Sequence, residues 1–190
     1  MAKYMFRDLR ADEIECRVAQ AKENGVSLLL YKDARCDQNI LDETVGAMGW
    51  MRYHTRDNAN CIVQIWDAEK QQWVGKEDTG TESNTEKEKG LASDSFKRAC
   101  FNWGIGRELY TAPFIWINAK DCKNLFSKKV RERGEEKTVW KCNDDFYVAK
   151  IAIEDKRIVG LAIRNRTTGE RVFVWQDEVW LAKKNGADGK

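Results

Sequence analysis

A lysine and an arginine stand side by side at Lys97 and Arg98, within a stretch whose pattern is typical of a helix. At about 100° per residue, Lys87 and Arg98 fall on one side of that helix, and Lys97 lies one step round. Such a cationic ridge can neutralise the phosphates of a nucleic-acid backbone, which gives affinity independent of base sequence. On pattern alone, however, a Lys-Arg pair on an amphipathic helix is more often a solvated face.

The helix that carries this pair is predicted to start near residue 84 and to end at about residue 103. Ser83 with Glu86, and Thr85 with Glu88, both have the capping-box spacing of a first helical turn. An apolar stripe recurs at helical spacing, so one side can pack on a core while the other stays polar. The stripe consists of Leu91, Ala92, Ser95, Phe96, Ala99, Cys100 and Trp103.

Catalytic alternatives are few. Asp144 or Asp145, followed by Glu154 and Lys156, has the order of the Asp…Glu-x-Lys motif, in which carboxylates hold Mg²⁺ and the lysine assists the attacking water. A Mg²⁺-dependent nuclease, or a nuclease subunit, is therefore the alternative function. Its weakness is that Glu154 to Lys156 is predicted to form an exposed hairpin tip, which does not easily converge with another strand.

No cofactor is predicted. The six cysteines are at least 20 residues apart, and His54 is the only histidine, so no zinc-ligand spacing exists. Free, mostly buried thiols are the better interpretation. The chain contains no Gly-x-x-x-x-Gly-Lys-Ser/Thr sequence, and Gly104-x-Gly106 follows a helix rather than a strand, so ATP and dinucleotide binding are not indicated.

The composition is that of a globular protein, with 190 residues and a hydrophobic content of 42%. We expect one domain over residues 1–182 and a disordered tail over 183–190. The net charge of +2 is too small to indicate nucleic-acid binding by itself, but the charges are segregated. Residues 97–133 contain nine Lys or Arg against three acids, and residues 156–171 contain five against one.

The predicted fold class is α+β: an antiparallel β-meander packed against one long amphipathic helix, followed by a C-terminal β-meander. A first hairpin turns at Asn24-Gly25. The other predicted elements are a helix at 33–45, strands at 50–55, 61–66 and 73–78, a strand at 113–117, a short helix at 119–126, a mobile loop at 127–138, and strands at 146–154, 158–165 and 171–175.

Two blocks of residues resemble one known family. The stretch Asp94-Ser95-Phe96-Lys97-Arg98-Ala99, followed by Trp103-Gly104-Ile105-Gly106-Arg107, is similar to the signature helix of the Rad fifty-two superfamily of single-strand annealing proteins. The block from Tyr31 to Arg35, with Leu41 to Trp50 after it, is similar to the segment that precedes this helix in the family. The compact bacteriophage and prophage branch, the Sak-like proteins, is the nearest in pattern.

The resemblance implies an ATP-independent annealing protein of homologous recombination and DNA repair, not an enzyme, that binds single-stranded DNA as a homo-oligomeric ring or filament. For residues 7–24, where helical composition conflicts with alternation, it favours a short helix followed by a strand. By position it assigns DNA contact to Arg17 and Tyr31. The full set of expected DNA-binding residues is Lys97, Arg98, Arg17, Tyr31, Arg35, Lys87 and Arg107.

Each assignment has a structural alternative. Arg17 and Arg35 could be surface ion-pair partners, and Tyr31 could cover the apolar side of the hairpin rather than stack on a base. Phe101 stands where other members carry a third basic residue, and Arg107 is the candidate that replaces this contact. A third class of function, a module whose basic ridge binds an acidic protein, also stays open.

The chain has no apolar run long enough to span a bilayer and no secretory h-region, so we expect a cytoplasmic, nucleoid-associated protein of a bacterial host that makes no membrane contact. A host single-strand-binding protein is left open as a partner.

Overall fold

A computed structural model describes residues 4–81, 87–132 and 135–187, and it confirms an α+β protein built on antiparallel sheets. The chain divides into two compact units, each made of separate segments. The first unit comprises Met1–Leu9 and Lys32–Arg107, and the second comprises Arg10–Tyr31 and Glu108–Lys190. The single domain expected over residues 1–182 stays a prediction.

Eleven strands and three helices lie within the described ranges. In chain order they are β1 (Glu15–Lys22), β2 (Gly25–Tyr31), α1 (Ala34–Val45), β3 (Trp50–Thr55), β4 (Asn60–Asp67), β5 (Gln72–Thr79), α2 (Lys87–Trp103), β6 (Ile115–Asn118), β7 (Leu125–Glu132), β8 (Glu135–Cys142), β9 (Phe146–Glu154), β10 (Arg157–Asn165), β11 (Arg171–Gln176) and α3 (Glu178–Ala187). Short 3-10 helices cover Ala11–Glu13, Arg107–Thr111 and Ala119–Asp121.

The first unit is built on the antiparallel meander β3-β4-β5, whose predicted strands are confirmed. Alternate residues of β4, such as Val63 and Ile65, are buried, and α2 packs across β4 and β5. Phe96 of α2 is fully buried and stacks on Trp50 with ring centroids 6.1 Å apart. Burial of a side chain of this size stabilises the fold by about 1.5–3 kcal/mol. The Trp103 indole N–H also donates to the Val63 carbonyl at 3.0 Å, which fixes the end of the helix on the sheet.

Helix α1, also predicted, begins and ends with typical caps. The Asp33 side chain accepts from the Cys36 N–H at 2.9 Å, and Gly46 closes the helix with a φ of +76°. The expected start of α2 near residue 84, with its two capping boxes, lies outside the described residues. The described part of this helix runs from Lys87.

The second unit is a six-stranded antiparallel sheet in the order β11-β10-β9-β1-β2-β6. The predicted first hairpin and the predicted C-terminal meander are both confirmed, and β1 lies next to β9 in one sheet. The short helix and strand expected within residues 7–24 are also present as a 3-10 turn and β1. Asp155 and Lys156 form the predicted tight turn, with φ values of +48° and +61°.

Two predictions for the chain segment between β6 and β9 were wrong. The helix expected at 119–126 is only a 3-10 turn over Ala119–Asp121, and the mobile loop expected at 127–138 forms the hairpin of β7 and β8. This hairpin is exposed on both faces, so it has no apolar alternation, and charge pairing such as Lys129 Nζ to Glu136 Oε2 at 3.1 Å accompanies the ladder instead.

The expected tail overlaps the end of α3. Residues 183–187 continue α3, and residues 188–190 lie outside the described part of the chain. Asp177 caps this helix, since its carboxylate accepts from the Trp180 N–H at 2.9 Å, and Lys184 Nζ lies 4.8 Å from the centroid of the Trp180 ring. In the described ranges no helix has both the length and the apolar composition to cross a membrane.

Candidate nucleic-acid interface

The predicted cationic pair lies on the outer side of α2. Both Lys97 and Arg98 are half-buried, whereas Phe96, Ala99 and Cys100 on the packed side are fully buried. The long stems of such residues can lie along the protein while the charged heads reach solvent. The ridge therefore presents cations from a helix whose opposite side is fixed on the sheet.

Arg98 is held in one orientation by Asp94, one helical turn before it. Its Nε lies 2.9 Å from Asp94 Oδ2, and the same carboxylate accepts from the Thr81 backbone N–H at 2.9 Å and its hydroxyl at 3.1 Å. Burial raises the pKa of Asp94, but the bonds from Arg98 and Thr81 outweigh it and leave that pKa below its usual value. Asp94 thus ties the middle of α2 to the segment after β5.

A buried ion pair lies beside the ridge, between α1 and the segment that follows α2. Lys32 Nζ donates to both carboxylate oxygens of Asp37, and the two residues are 2% and 0% exposed. Burial raises the pKa of Asp37, and the positive charges of Lys32 and Lys97 partly offset that rise. Lys97 is therefore on the side of α2 that is close to α1.

The glycine and phenylalanine of the signature stretch enclose this pair. Lys32 Nζ lies 4.6 Å from the centroid of the Phe101 ring. A Cβ added at Gly106 would lie 2.2 Å from Lys32 Cε, and Gly106 has a φ of +74°. Phe101 and Gly106 therefore serve the fold around Lys32, and the position of Phe101 gives no indication of phosphate contact.

Arg107 is exposed, and it acts at the end of α2. Its Nε donates to the Phe101 carbonyl at 2.5 Å and its Nη2 to the Asn102 carbonyl at 3.0 Å. Carbonyls in the last turn of a helix have no intrahelical partner, and a cation there also opposes the helix dipole. Arg107 thus caps the end of α2 in this structure, and its expected phosphate contact stays a prediction.

Arg35 lies on the first turn of α1, with its side chain 85% exposed and its Nε 2.9 Å from Asp33 Oδ2. Lys87 opens the described part of α2, but its side chain is not described. Between α1, β3 and α2 is a cleft of about 280 Å³, lined among others by Ala34, Arg52 and Ser93. The guanidinium carbon of Arg52 lies 4.2 Å from the centroid of the Phe96 ring, which Trp50 also contacts.

Arg17 and Tyr31 belong to the second unit, and the structure brings these two together. The guanidinium carbon of Arg17 lies 6.0 Å from the centroid of the Tyr31 ring. The Tyr31 hydroxyl donates to the Glu15 carboxylate on the neighbouring strand, and this bond, together with burial, raises the pKa of Tyr31 to about 12. The other five predicted residues belong to the first unit.

The residues of the nuclease alternative have structural roles or lie apart. Asp144 is buried, and it accepts from the backbone N–H groups of Lys123 at 2.7 Å and Asn124 at 3.1 Å, as well as from the side-chain amides of Asn124 and Asn165. Glu154 is exposed at the end of β9, beside the tight turn. This arrangement gives no support to a metal-dependent nuclease.

One cluster of metal-ligand types was not visible in the sequence. Ligand atoms of Cys122, Cys142 and Asp144 lie within 4.8 Å of one another. Burial raises the pKa of both thiols, that of Cys122 to about 12, and the Asp144 oxygens already accept four hydrogen bonds from the protein. The cluster is therefore a half-buried polar contact of the fold.

No protein-family model, curated protein or solved structure matches this chain. The fold and the site define a general class of protein. It is an α+β protein of antiparallel sheets with half-buried cations on the outer side of a packed helix.

Proposed function

We propose that this protein binds single-stranded DNA and anneals complementary strands without ATP. The observation that carries the proposal is the position of Lys97 and Arg98 on α2. The helix is fixed by its buried side on β4 and β5, and Arg98 is oriented by Asp94, so the cations project from a rigid element. The resemblance of residues 94–107 to the signature helix of the Rad fifty-two superfamily supports the same function.

The physical logic is that two complementary strands repel each other through their phosphates. A protein that neutralises the backbones and leaves the Watson–Crick edges free lowers that repulsion without selecting a sequence. Annealing forms and breaks no covalent bond, so the proposal requires no catalytic residue, nucleotide or metal ion. We place the activity in homologous recombination in the bacterial cytoplasm, on a bacteriophage or prophage genome.

Assembly into a ring or a filament is part of the proposal. A head-to-tail interface between identical chains generates either form and joins shallow binding surfaces into a continuous one. Support comes from β3, which is at an edge of its sheet and has Met51 and Tyr53 exposed by 39% and 45%. Edge strands of this kind present backbone groups that a second chain can pair with.

The direct test of the site is the double variant Lys97→Gln with Arg98→Gln. Binding of a labelled oligothymidine is measured by fluorescence anisotropy over a range of salt concentrations. We expect the slope of log K against log salt to become shallower by about 1.4, since each lost phosphate contact on a single strand removes about 0.7. Circular dichroism and gel filtration should be unchanged.

The matched control is Arg56→Gln with Lys70→Gln, which also removes two cations from the first unit. In both doubles one of the cations is ion-paired with an aspartate, Arg98 with Asp94 and Lys70 with Asp67. A normal slope is expected for the control. If the Lys97/Arg98 variant binds no worse than this control, the ridge is only a solvated face.

A further inference from the structure

A second cationic surface lies on one face of the six-stranded sheet in the second unit. Successive strand pairings join one residue of each strand into a row that crosses the sheet from β11 to β2. The row consists of Arg171, Arg164, Tyr147, Glu15 and Tyr31. Residues directly opposite each other in a ladder point to the same face, and four strand spacings of about 4.8 Å give the row a length of about 19 Å.

An open groove of about 990 Å³ runs along this row. Among its lining residues are Lys150, Arg164, Arg166, Arg171, Tyr31 and Tyr147. The pairing of β1 with β9 consists of the single register pair Glu15 and Tyr147, so the two ladders meet at one point. The groove therefore lies where the first hairpin, β1-β2, joins the C-terminal meander, β9-β10-β11.

The acids of this groove are already engaged, whereas three of its cations are not. Asp145 pairs with Arg166 at 2.8 Å, and Glu15 accepts the Tyr31 hydroxyl. The third acid is Asp12, whose Oδ1 lies 3.9 Å from Arg10 Nε. The unengaged cations are Lys150, Arg164 and Arg171, which are exposed and have no carboxylate within 4 Å among the described residues.

Arg164 and Arg171 lie directly opposite each other on β10 and β11. Like charges in this position destabilise a sheet, so the unliganded pair is unfavourable. An anion between the two guanidinium groups would remove that repulsion, and arginine is well suited to bind a phosphate with two hydrogen bonds. The register thus favours a ligand that carries phosphates.

Beside this pair is a flat surface. The guanidinium carbon of Arg166 lies 4.5 Å from the centroid of the Tyr147 ring, and Tyr147 is the cross-strand neighbour of Arg164. Aromatic rings and guanidinium planes are the groups on which unpaired bases stack. Phosphate-binding cations next to a stacking surface are typical of sites for single-stranded nucleic acid, and an acidic peptide would not use the flat surface.

We propose that this sheet face is a second binding surface for single-stranded nucleic acid, with phosphates on Lys150, Arg164 and Arg171 and bases against Tyr147 and Arg166. It shares its ligand class with the function proposed above and rests on it to that extent. Its residues belong to the other unit, so the two can fail separately.

The test is the double variant Arg164→Gln with Arg171→Gln, and the control is Arg131→Gln with Arg157→Gln. The control removes two exposed arginines from other parts of the same unit. Affinity for a labelled oligothymidine is measured against salt, with circular dichroism as the check of folding. We expect a slope shallower by about 1.4 in the test variant and a smaller change in the control.

A second pair of variants tests the flat surface. Tyr147→Phe keeps the ring and should bind as the wild type does, whereas Tyr147→Ala should bind about 5- to 150-fold more weakly, the range for loss of one stacked base. Equal binding by Tyr147→Phe and Tyr147→Ala would show that no base stacks there. Competition by polyglutamate at the same charge concentration as oligothymidine would assign the surface to acidic proteins and overturn the proposal.

The two sites are distinguished by comparing both double variants. In one outcome, Lys97→Gln/Arg98→Gln makes the slope of log K against log salt shallower, and Arg164→Gln/Arg171→Gln matches its control. The proposed ridge site is then supported and the proposed sheet surface is wrong. The opposite pattern would support the sheet surface and contradict binding at the ridge. A wild type that does not bind oligothymidine would contradict both.

Discussion

Lys32 is a cation with a structural role. Its packing also accounts for Phe101 and Gly106, two residues of the signature stretch. Its pair with Asp37 joins the segment before α1 to the first turns of that helix, and its stem runs against Gly106 and under Phe101. Removing one partner of such a buried pair leaves an uncompensated charge, which typically costs about 3–5 kcal/mol. At this scale Phe101 and Gly106 of the signature stretch hold the fold, and the ligand contacts that we propose are those of Lys97 and Arg98.

Gly106→Ala tests the packing at Lys32. The new Cβ would overlap the Lys32 stem, whereas Gly169, with a φ of +76° against +74°, has nothing within 4 Å of an added Cβ. Both variants incur backbone strain of about 1–2 kcal/mol, and overpacking should add about 1–3 kcal/mol at Gly106 only. Urea unfolding measures the difference. Equal destabilisation of the two variants would mean that Lys32 moves aside without cost.

The sequence indicated Lys97 and Arg98 because helical periodicity places them opposite the apolar stripe. It gave no sign that Lys32 is buried, since a lysine is normally exposed and its partner is defined only by the path of the chain. The capping contacts of Arg107 were not predictable either, because charge alone cannot distinguish a ligand contact from a helix cap.

At the scale of the elements, α2 is the part that positions the ridge. The Trp103 indole bonds to β4, Asp94 binds the segment after β5, and Arg107 caps the C-terminal end. The first two contacts hold the helix on neighbouring elements, so the binding that we propose would need no rearrangement of the ridge.

The pH dependence of stability should report the Asp94 contacts. Because the pKa of Asp94 is lower in the folded state than its usual value of 3.8, its contribution is present above about pH 4 and is lost as the pH falls through the folded pKa. Asp94→Asn should therefore reduce the free energy of unfolding by about 1–2 kcal/mol at neutral pH and by progressively less below about pH 4.

Asp57→Asn is the control for this prediction, since Asp57 is exposed in the turn between β3 and β4, where an asparagine also tolerates the φ of +50°. Its free energy of unfolding should follow that of the wild type at every pH. A pH-independent difference for Asp94→Asn would show that the carboxylate charge contributes nothing.

Elements with one buried face were predictable, and those without one were not. The strands of both meanders alternate apolar and polar residues, so their positions follow from the sequence. The hairpin of β7 and β8 is charged and exposed on both faces, which gave it the composition of a mobile loop. Residues 183–187, the end of α3, were taken for part of a tail because the charged residues at 183–184 carry no apolar stripe.

At the scale of the whole molecule, the net charge is only +2, yet each of the two units carries a cluster of cations among its described residues. The first is the ridge of Lys97 and Arg98, and the second is the sheet face of Lys150, Arg164 and Arg171. An annealing protein must bind phosphates along a strand for some distance, so two such surfaces in one chain are consistent with the proposed activity.

The long-range strand pairing of the second unit could not be predicted. The second unit pairs β1 with β9, which are more than 100 residues apart in the chain, and only Glu15 and Tyr147 join the two ladders. A contact this remote leaves no periodic signal in a single sequence. The basic stretch at 156–171 was visible, but its arrangement beside Tyr147 depends on the strand register.

The most direct test of the central claim is annealing of two complementary labelled oligonucleotides, without ATP and with a chelator of divalent cations, beside gel filtration of the protein. We predict annealing well above the spontaneous rate, by a protein that elutes as a large oligomer. A rate equal to the spontaneous one, from a protein that elutes as a monomer, would contradict the account.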